Sequence, residues 1–133
     1  MQEVLKFLTD NPTFYIATSS ADGPRVRPFG FVMEDNGKLY FTTSNQKDVF
    51  KQLQADPRFE ISTTSADGGK WIRIRGKVVF DTRKEIAEKA FAAAEFFTPM
   101  YQSPDNPILE FFYIAEGEAT FYSFTDAPKT VKF

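Results

Sequence analysis

The sequence has 133 residues, 42% of them hydrophobic and 17% aromatic, which suits one domain with one core and is too apolar for a disordered chain. Its net charge of −2 argues against binding nucleic acid through overall charge, and no stretch approaches the 18 apolar residues of a membrane-spanning helix. The chain contains neither Cys nor His. That removes disulfides, thiolate nucleophiles, Ser-His-Asp and Cys-His catalytic pairs, His-ligated haem and the usual zinc sites, and leaves carboxylates, Lys, Tyr, a hard metal or an organic cofactor to carry any reaction.

Residues 1–20 lack a basic start, an uninterrupted apolar run and a cleavage-like site, so no signal peptide is expected and the location expected is cytoplasmic. Residues 1–10 place Val4, Leu5 and Leu8 on one face of a short helix, ended by Asp10-Asn11-Pro12 because the residue before proline disfavours the helical region. From Thr13 the period changes to two. Phe14, Ile16 and Thr18 point one way and Tyr15, Ala17 and Ser19 the other, which predicts a strand, turned at residues 21–24. Residues 25–34 and 38–43 form a hairpin about Asn36-Gly37, a pair that supplies the positive φ angles of a tight turn.

A helix over 46–55, with Val49, Phe50 and Leu53 inward, is stopped by Asp56-Pro57. Strands at 58–64 and 70–81 follow, turned at residues 66–69. Thr82-Arg83-Lys84-Glu85 has the spacing of a capping box, opening a helix whose stripe is Ile86, Ala90, Ala93, Ala94 and Phe97 and which Thr98-Pro99 closes. Residues 108–115 and 118–125 give two more strands around Glu116-Gly117, and the tail from Lys129 adds an extended piece. Tight turns in place of crossovers predict an α+β, mainly β fold: a six-stranded antiparallel barrel with short flanking helices, one domain over 1–133.

The most informative stretch is Phe41-Thr42-Thr43-Ser44-Asn45-Gln46-Lys47, where a strand runs through hydroxyl and amide residues into a helix start. Free amide N–H groups there, joined by Thr and Ser hydroxyls, make a phosphate cradle. Lys47 in a first helical turn opposes the macrodipole unless an anion docks beside it. The plain alternative is that Ser44 or Asn45 caps the helix and Lys47 points into water.

Arg25 and Arg27, two apart on a strand, share a face from which an arginine can approach that phosphate in bidentate fashion; the alternative is a solvated strand face. Pro28, Phe29 and Gly30 interrupt the β pattern, either as an edge against which a flat ring lies or as a bend in a barrel strand. Trp71, Arg73 and Arg75 form the polar side of a strand whose other side is Ile72 and Ile74. Glu85 and Glu88 read as a solvated helix face, and no Walker A loop, GxGxxG or metal-ligand cluster is present.

Four segments taken in order, PRVRPFGFV (24–32), GKLYFTTSNQKDVFKQL (37–53), WIRIRGKVVF (71–80) and ILEFFYIAEGEATFYSF (108–124), resemble the pyridoxamine 5′-phosphate oxidase-like family, the FMN-binding split barrels, over nearly the whole chain from Asn11. The resemblance implies a split barrel and a homodimer with FMN at the interface. It implies a phosphate held by Arg27 (or Arg25) and Lys47, and a flavin ring along Pro28, Phe29 and Gly30 with Phe41, Thr42 and Thr43 beside it. Gln46 stands where a phosphate-binding arginine is frequent, and Trp71 and Arg73 lie on the strand that faces the partner's cofactor.

The Arg-x-His-x-Arg stretch of the vitamin-processing enzymes is missing. Glu110-Phe111-Phe112 matches its lead-in, but Glu118, Thr120 and Tyr122 follow. The expectation is therefore an FMN-dependent oxidoreductase with an unidentified small-molecule substrate, with a non-catalytic flavin- or other cofactor-binding module, a sensor or carrier, as the alternative and a deazaflavin as the alternative cofactor.

Overall fold

A computed structural model describes all 133 residues. Helix α1 (Gln2–Asp10) is followed by strands β1 (Phe14–Ser20), β2 (Gly23–Phe29), β3 (Met33–Asp35) and β4 (Lys38–Ser44). After helix α2 (Asp48–Ala55) come β5 (Arg58–Thr64) and β6 (Lys70–Phe80), then helices α3 (Lys84–Ala93) and α4 (Phe97–Tyr101), and finally β7 (Leu109–Ser123) and β8 (Lys129–Lys132). The fold is mainly β, 46% strand and 24% helix, and every strand pair is antiparallel.

The sheet runs β2-β1-β5-β6-β7-β4-β3, with β8 paired to β7. Its end strands, β2 and β3, are joined by residues 30–32 alone. A link from Phe29 to Met33 reaches at most about 14 Å, whereas seven flat strands would hold their edges roughly 29 Å apart. The sheet must therefore roll up. The two edges do not pair, so the barrel is closed by the chain and a packed aromatic rather than by hydrogen bonds: Phe29 sits between Phe14 and Phe112, at 6.5 and 6.3 Å.

The rolled sheet has eight strands, not the expected six, and two local readings change in opposite directions. Residues 25–34 are not one strand. Arg25, Arg27 and Phe29 pair with β1, while Met33–Asp35 pair with β4 on the opposite edge. The turn at Asn36 (φ 50°) and Gly37 (φ 77°) is as expected.

Residues 108–125 show the reverse error, since they form a single strand and Glu116-Gly117 is a bulge within it. Arg75 pairs with Glu118 and Lys77 with Ala115, so two residues of β7 stand opposite Gly76. A Cβ on Gly76 would lie 2.9 Å from the Ala115 carbonyl oxygen, and one on Gly117 would lie 2.6 Å from the Phe133 ring. Both glycines permit the close approach that the bulge needs.

Inside the barrel, Phe14, Ile16, Leu39, Phe41, Ile61, Ile72, Ile74 and Phe112 form the main core, which α1 covers with Val4 and Leu8 and α2 with Val49 and Leu53. A second core lies on the other face of β4 and β7, where Tyr40 and Phe111 meet Phe31, Met33, Ile86, Ala90 and Phe97. The outer face of β1 and β2 is uncovered, leaving Val26 68% and Tyr15 49% exposed.

Thr82 and Glu85 form no capping box: α3 starts at Lys84 without a side-chain cap. Asp81 takes the Arg83 amide instead, and Glu85 pairs with the Arg83 guanidinium. Thr98 and Pro99 lie in the first turn of α4 rather than closing a helix, a position where proline's missing N–H costs nothing. Ala93, expected on the buried stripe, is exposed.

Candidate functional site

Strands β1, β2 and β4 meet α2 at one corner of the barrel. Thr18 ends the inward row Phe14, Ile16, Thr18, and Arg25, Arg27 and Phe29 pair with Thr18, Ile16 and Phe14, so this face of β2 carries its two guanidinium groups toward the same rim. They end in different places. Arg25 turns back to the Pro24 carbonyl and stands 4.0 Å from Asp22 at the β1–β2 turn.

Arg27 is half-buried against α2. Its Nη1 donates to Thr18 Oγ1 at 2.8 Å and to the Ile16 and Arg25 carbonyls at 3.3 and 3.4 Å, and its Nη2 donates to Gln52 Oε1 at 2.7 Å. Thr18 Oγ1 itself donates to Gln52 Oε1 at 2.6 Å. Burial lowers the Arg27 pKa from its ordinary value, the nearby Asp48 carboxylate opposes that shift and Arg25 adds to it. A guanidinium keeps its charge under such a shift.

The strand-to-helix passage differs from the expected cradle in detail. Helix α2 begins at Asp48, so Lys47 is its N-cap residue and not part of its first turn, and the acidic group there is Asp48. Asp48 itself satisfies the macrodipole, which removes that argument for an anion beside Lys47. The Gln46 amide donates to Ser44 Oγ and the Lys47 amide to the Ser44 carbonyl. The Asn45 side chain is held by the Pro107 carbonyl at 2.8 Å and by Glu110 Oε2, so it fixes the 107–110 segment.

What stays open at this corner is threefold. Lys47 is exposed and forms no ion pair. Helix α2 has no side-chain cap, so its first-turn amides lack a side-chain partner. Thr43 Oγ1 is the one buried side-chain polar atom without a hydrogen-bond partner, and such a group is costly unless something accepts from it.

The other expected residues fall in three places. Phe41 is fully buried and stacks on Phe112 at 5.7 Å, so its side chain belongs to the core. Thr42 donates its hydroxyl to the Glu110 carbonyl on the opposite face of β4. Pro28, Phe29 and Gly30 lie at the unpaired edge of β2 and the start of the link across the split, which leaves their backbone free along one side.

Trp71 and Arg73 are on the outer face of β6, two strands inward from β1, with Trp71 stacked on Tyr122 at 5.4 Å and Arg73 paired to Glu60 at 2.7 Å. One chain does not bring them to the corner. Thr18 and Gln52 are the site residues that motif reasoning passed over. A hydroxyl on the inward face of β1, in line with Phe14 and Ile16, needs a buried partner, and that was the available signal.

The pyridoxamine 5′-phosphate oxidase family model matches residues 1–122. Among solved structures, a nimc/nima family protein from Clostridium acetobutylicum is 41% identical over 100% of this chain and 92% of its own, with a TM-score of 0.95. An FAD-binding protein from Mesorhizobium loti is 17% identical over 92% of this chain and 94% of its own, with a TM-score of 0.65. A heme binding protein from Mycobacterium smegmatis is 14% identical over 92% of this chain and 53% of its own, with a TM-score of 0.67. The last two share the fold. A search of curated proteins gives no match.

Proposed function

This chain belongs to the pyridoxamine 5′-phosphate oxidase family, and we propose that it is an FMN-binding oxidoreductase acting on a small molecule. The observation that carries this reading is the corner where β1, β2 and β4 meet α2, whose elements carry a half-buried guanidinium with neutral side-chain partners, an unpaired ammonium, uncapped helical amides and an orphaned Thr43 hydroxyl. That donor set suits a phosphate dianion. The commonest heme ligands, imidazole and thiolate, are missing, since the sequence has neither His nor Cys.

Arg27 and Lys47 hold the phosphate, and the backbone of Pro28, Phe29 and Gly30 lies along the flavin ring. When bound, FMN supplies hydride or electron transfer at that ring; the protein binds it, orients it and excludes water. The site is completed in a homodimer, with Trp71 and Arg73 coming from a second copy of the chain. The uncovered outer face of β1 and β2 supports an interface of that kind.

The test is a titration of the purified protein with FMN, followed by visible spectrum and flavin fluorescence, with light scattering for the assembly. Saturable binding by a dimer and reduction of the bound flavin by a reduced nicotinamide are expected. Binding without turnover assigns the chain to non-catalytic flavin-binding modules instead. Indifference to FMN together with uptake of a deazaflavin replaces the cofactor, and indifference to both removes the reading.

A further inference from the structure

We propose that Gln52 is a positioning residue that aims the Arg27 guanidinium at the cofactor phosphate, an inference that rests on the FMN reading above. Hydrogen-bond stereochemistry fixes which atoms meet at Arg27. A guanidinium only donates, so the Gln52 atom 2.7 Å from Arg27 Nη2 must be the amide oxygen, and the same oxygen accepts from Thr18 at 2.6 Å. Thr18 Oγ1 in turn accepts from Nη1 at 2.8 Å. Three groups from β1, β2 and α2 thus close a ring of hydrogen bonds.

Two acceptors that are 2.6 Å apart, one on each terminal nitrogen, occupy the end-on edge of the guanidinium. The long edge is left over. Nη2 is the terminal nitrogen trans to Cδ, so its second hydrogen runs parallel to Nε–H, and Nε makes no hydrogen bond. Those two parallel N–H groups form the fork that grips a carboxylate or phosphate with two bonds.

Gln52 contributes in two ways. It holds a long side chain in one rotamer before the ligand arrives, which removes an ordering cost from binding. It does so as a neutral acceptor, leaving the guanidinium charge uncompensated by its closest partners. A carboxylate in its place would hold the arginine as well but neutralise it. The proposed consequence is selection of phosphorylated over unphosphorylated flavin.

The experiment compares FMN with riboflavin, which has the same ring and no phosphate, as probes of the full-length protein by fluorescence titration. In Gln52→Leu, FMN affinity is expected to fall about tenfold while riboflavin affinity is unchanged, and the FMN preference shrinks by that factor. Gln52→Met, which keeps the volume and lacks the carbonyl, should behave alike and replaces the leucine variant if that one fails to fold. In an Arg27→Ala background, Gln52→Leu should change nothing further. Equal weakening of both flavins by either variant, an unchanged preference, or an additive loss in the Arg27→Ala background overturns the assignment. If the parent prefers FMN while the variants prefer it as strongly, only the role of Gln52 fails; a parent that takes up neither flavin removes the FMN reading, and this assignment with it.

Discussion

Two arginines at the rims of β4's neighbourhood are built into the molecule in opposite ways. Arg83 enters α3 with its long edge on Asp81, Nε at 3.0 Å and Nη2 at 2.8 Å, and its remaining terminal nitrogen on Glu85 at 2.9 Å. Asp81, 9% exposed in its side chain, also accepts from the Tyr40 hydroxyl at 2.8 Å. Burial and Asp81 push the Tyr40 pKa up to about 12, and the Arg83 hydrogen bond pulls Asp81 down to about 2. That arginine is matched by two carboxylates and serves to tie α3 to β4. Arg27 has neutral side-chain partners on its end-on edge and no hydrogen-bond partner on its long edge. The same residue type is a staple in one place and an unspent donor in the other, and the difference lies in its partners.

Removing each arginine gives the sharpest separation. Arg27→Ala is expected to weaken FMN binding roughly 100-fold, the scale of a lost bidentate charged contact, while Arg83→Ala leaves the FMN dissociation constant within error. Similar losses in both variants would erase the distinction.

Acid unfolding probes the staple. Because the Asp81 pKa is lower in the folded protein than its ordinary 3.8, its stabilisation is fully present above about pH 4 and is lost as pH falls through about 2. Asp81→Asn should cost about 1–2 kcal/mol at neutral pH and flatten the parent's loss of stability in that acid window, measured by urea unfolding at several pH values. An unchanged slope between parent and variant would show that Asp81 is not the group that titrates there.

Smaller effects concern Lys47 and salt. Lys47→Ala should weaken FMN about fivefold without shifting the thermal midpoint, since the side chain is exposed and unpaired. Raising the salt concentration should weaken FMN more than riboflavin by a few-fold, and that gap should narrow in Arg27→Ala but persist in Arg83→Ala. A thermal midpoint that drops in Lys47→Ala would assign the lysine to the fold instead.

Much of this architecture was legible residue by residue. The inward row Phe14, Ile16 and Thr18 and the buried pair Ile72 and Ile74 followed from period-two alternation, because a strand with one wet side has to sort its side chains that way. Asn36-Gly37 was legible because few other pairs tolerate two successive positive φ angles. Glu116-Gly117 offers a similar residue pair but a different backbone, with a positive φ at Glu116 alone (53°) against two successive ones at Asn36-Gly37. Only the uninterrupted partner strand β6 made it a bulge.

The amino-acid order by itself determined the β-rich class, the strand-to-α2 passage, the presence of cations near it and the exclusion of imidazole and thiolate chemistry. Those depend on composition and on contacts within a few residues. The rolled closure through residues 30–32, the choice of Arg27 over Arg25 beside α2, and the ring formed by Thr18, Arg27 and Gln52 were decided by tertiary structure. Their partners lie 9, 25 and 34 positions apart, and hydrogen bonds across such separations are set by how strands and helix pack rather than by any local propensity.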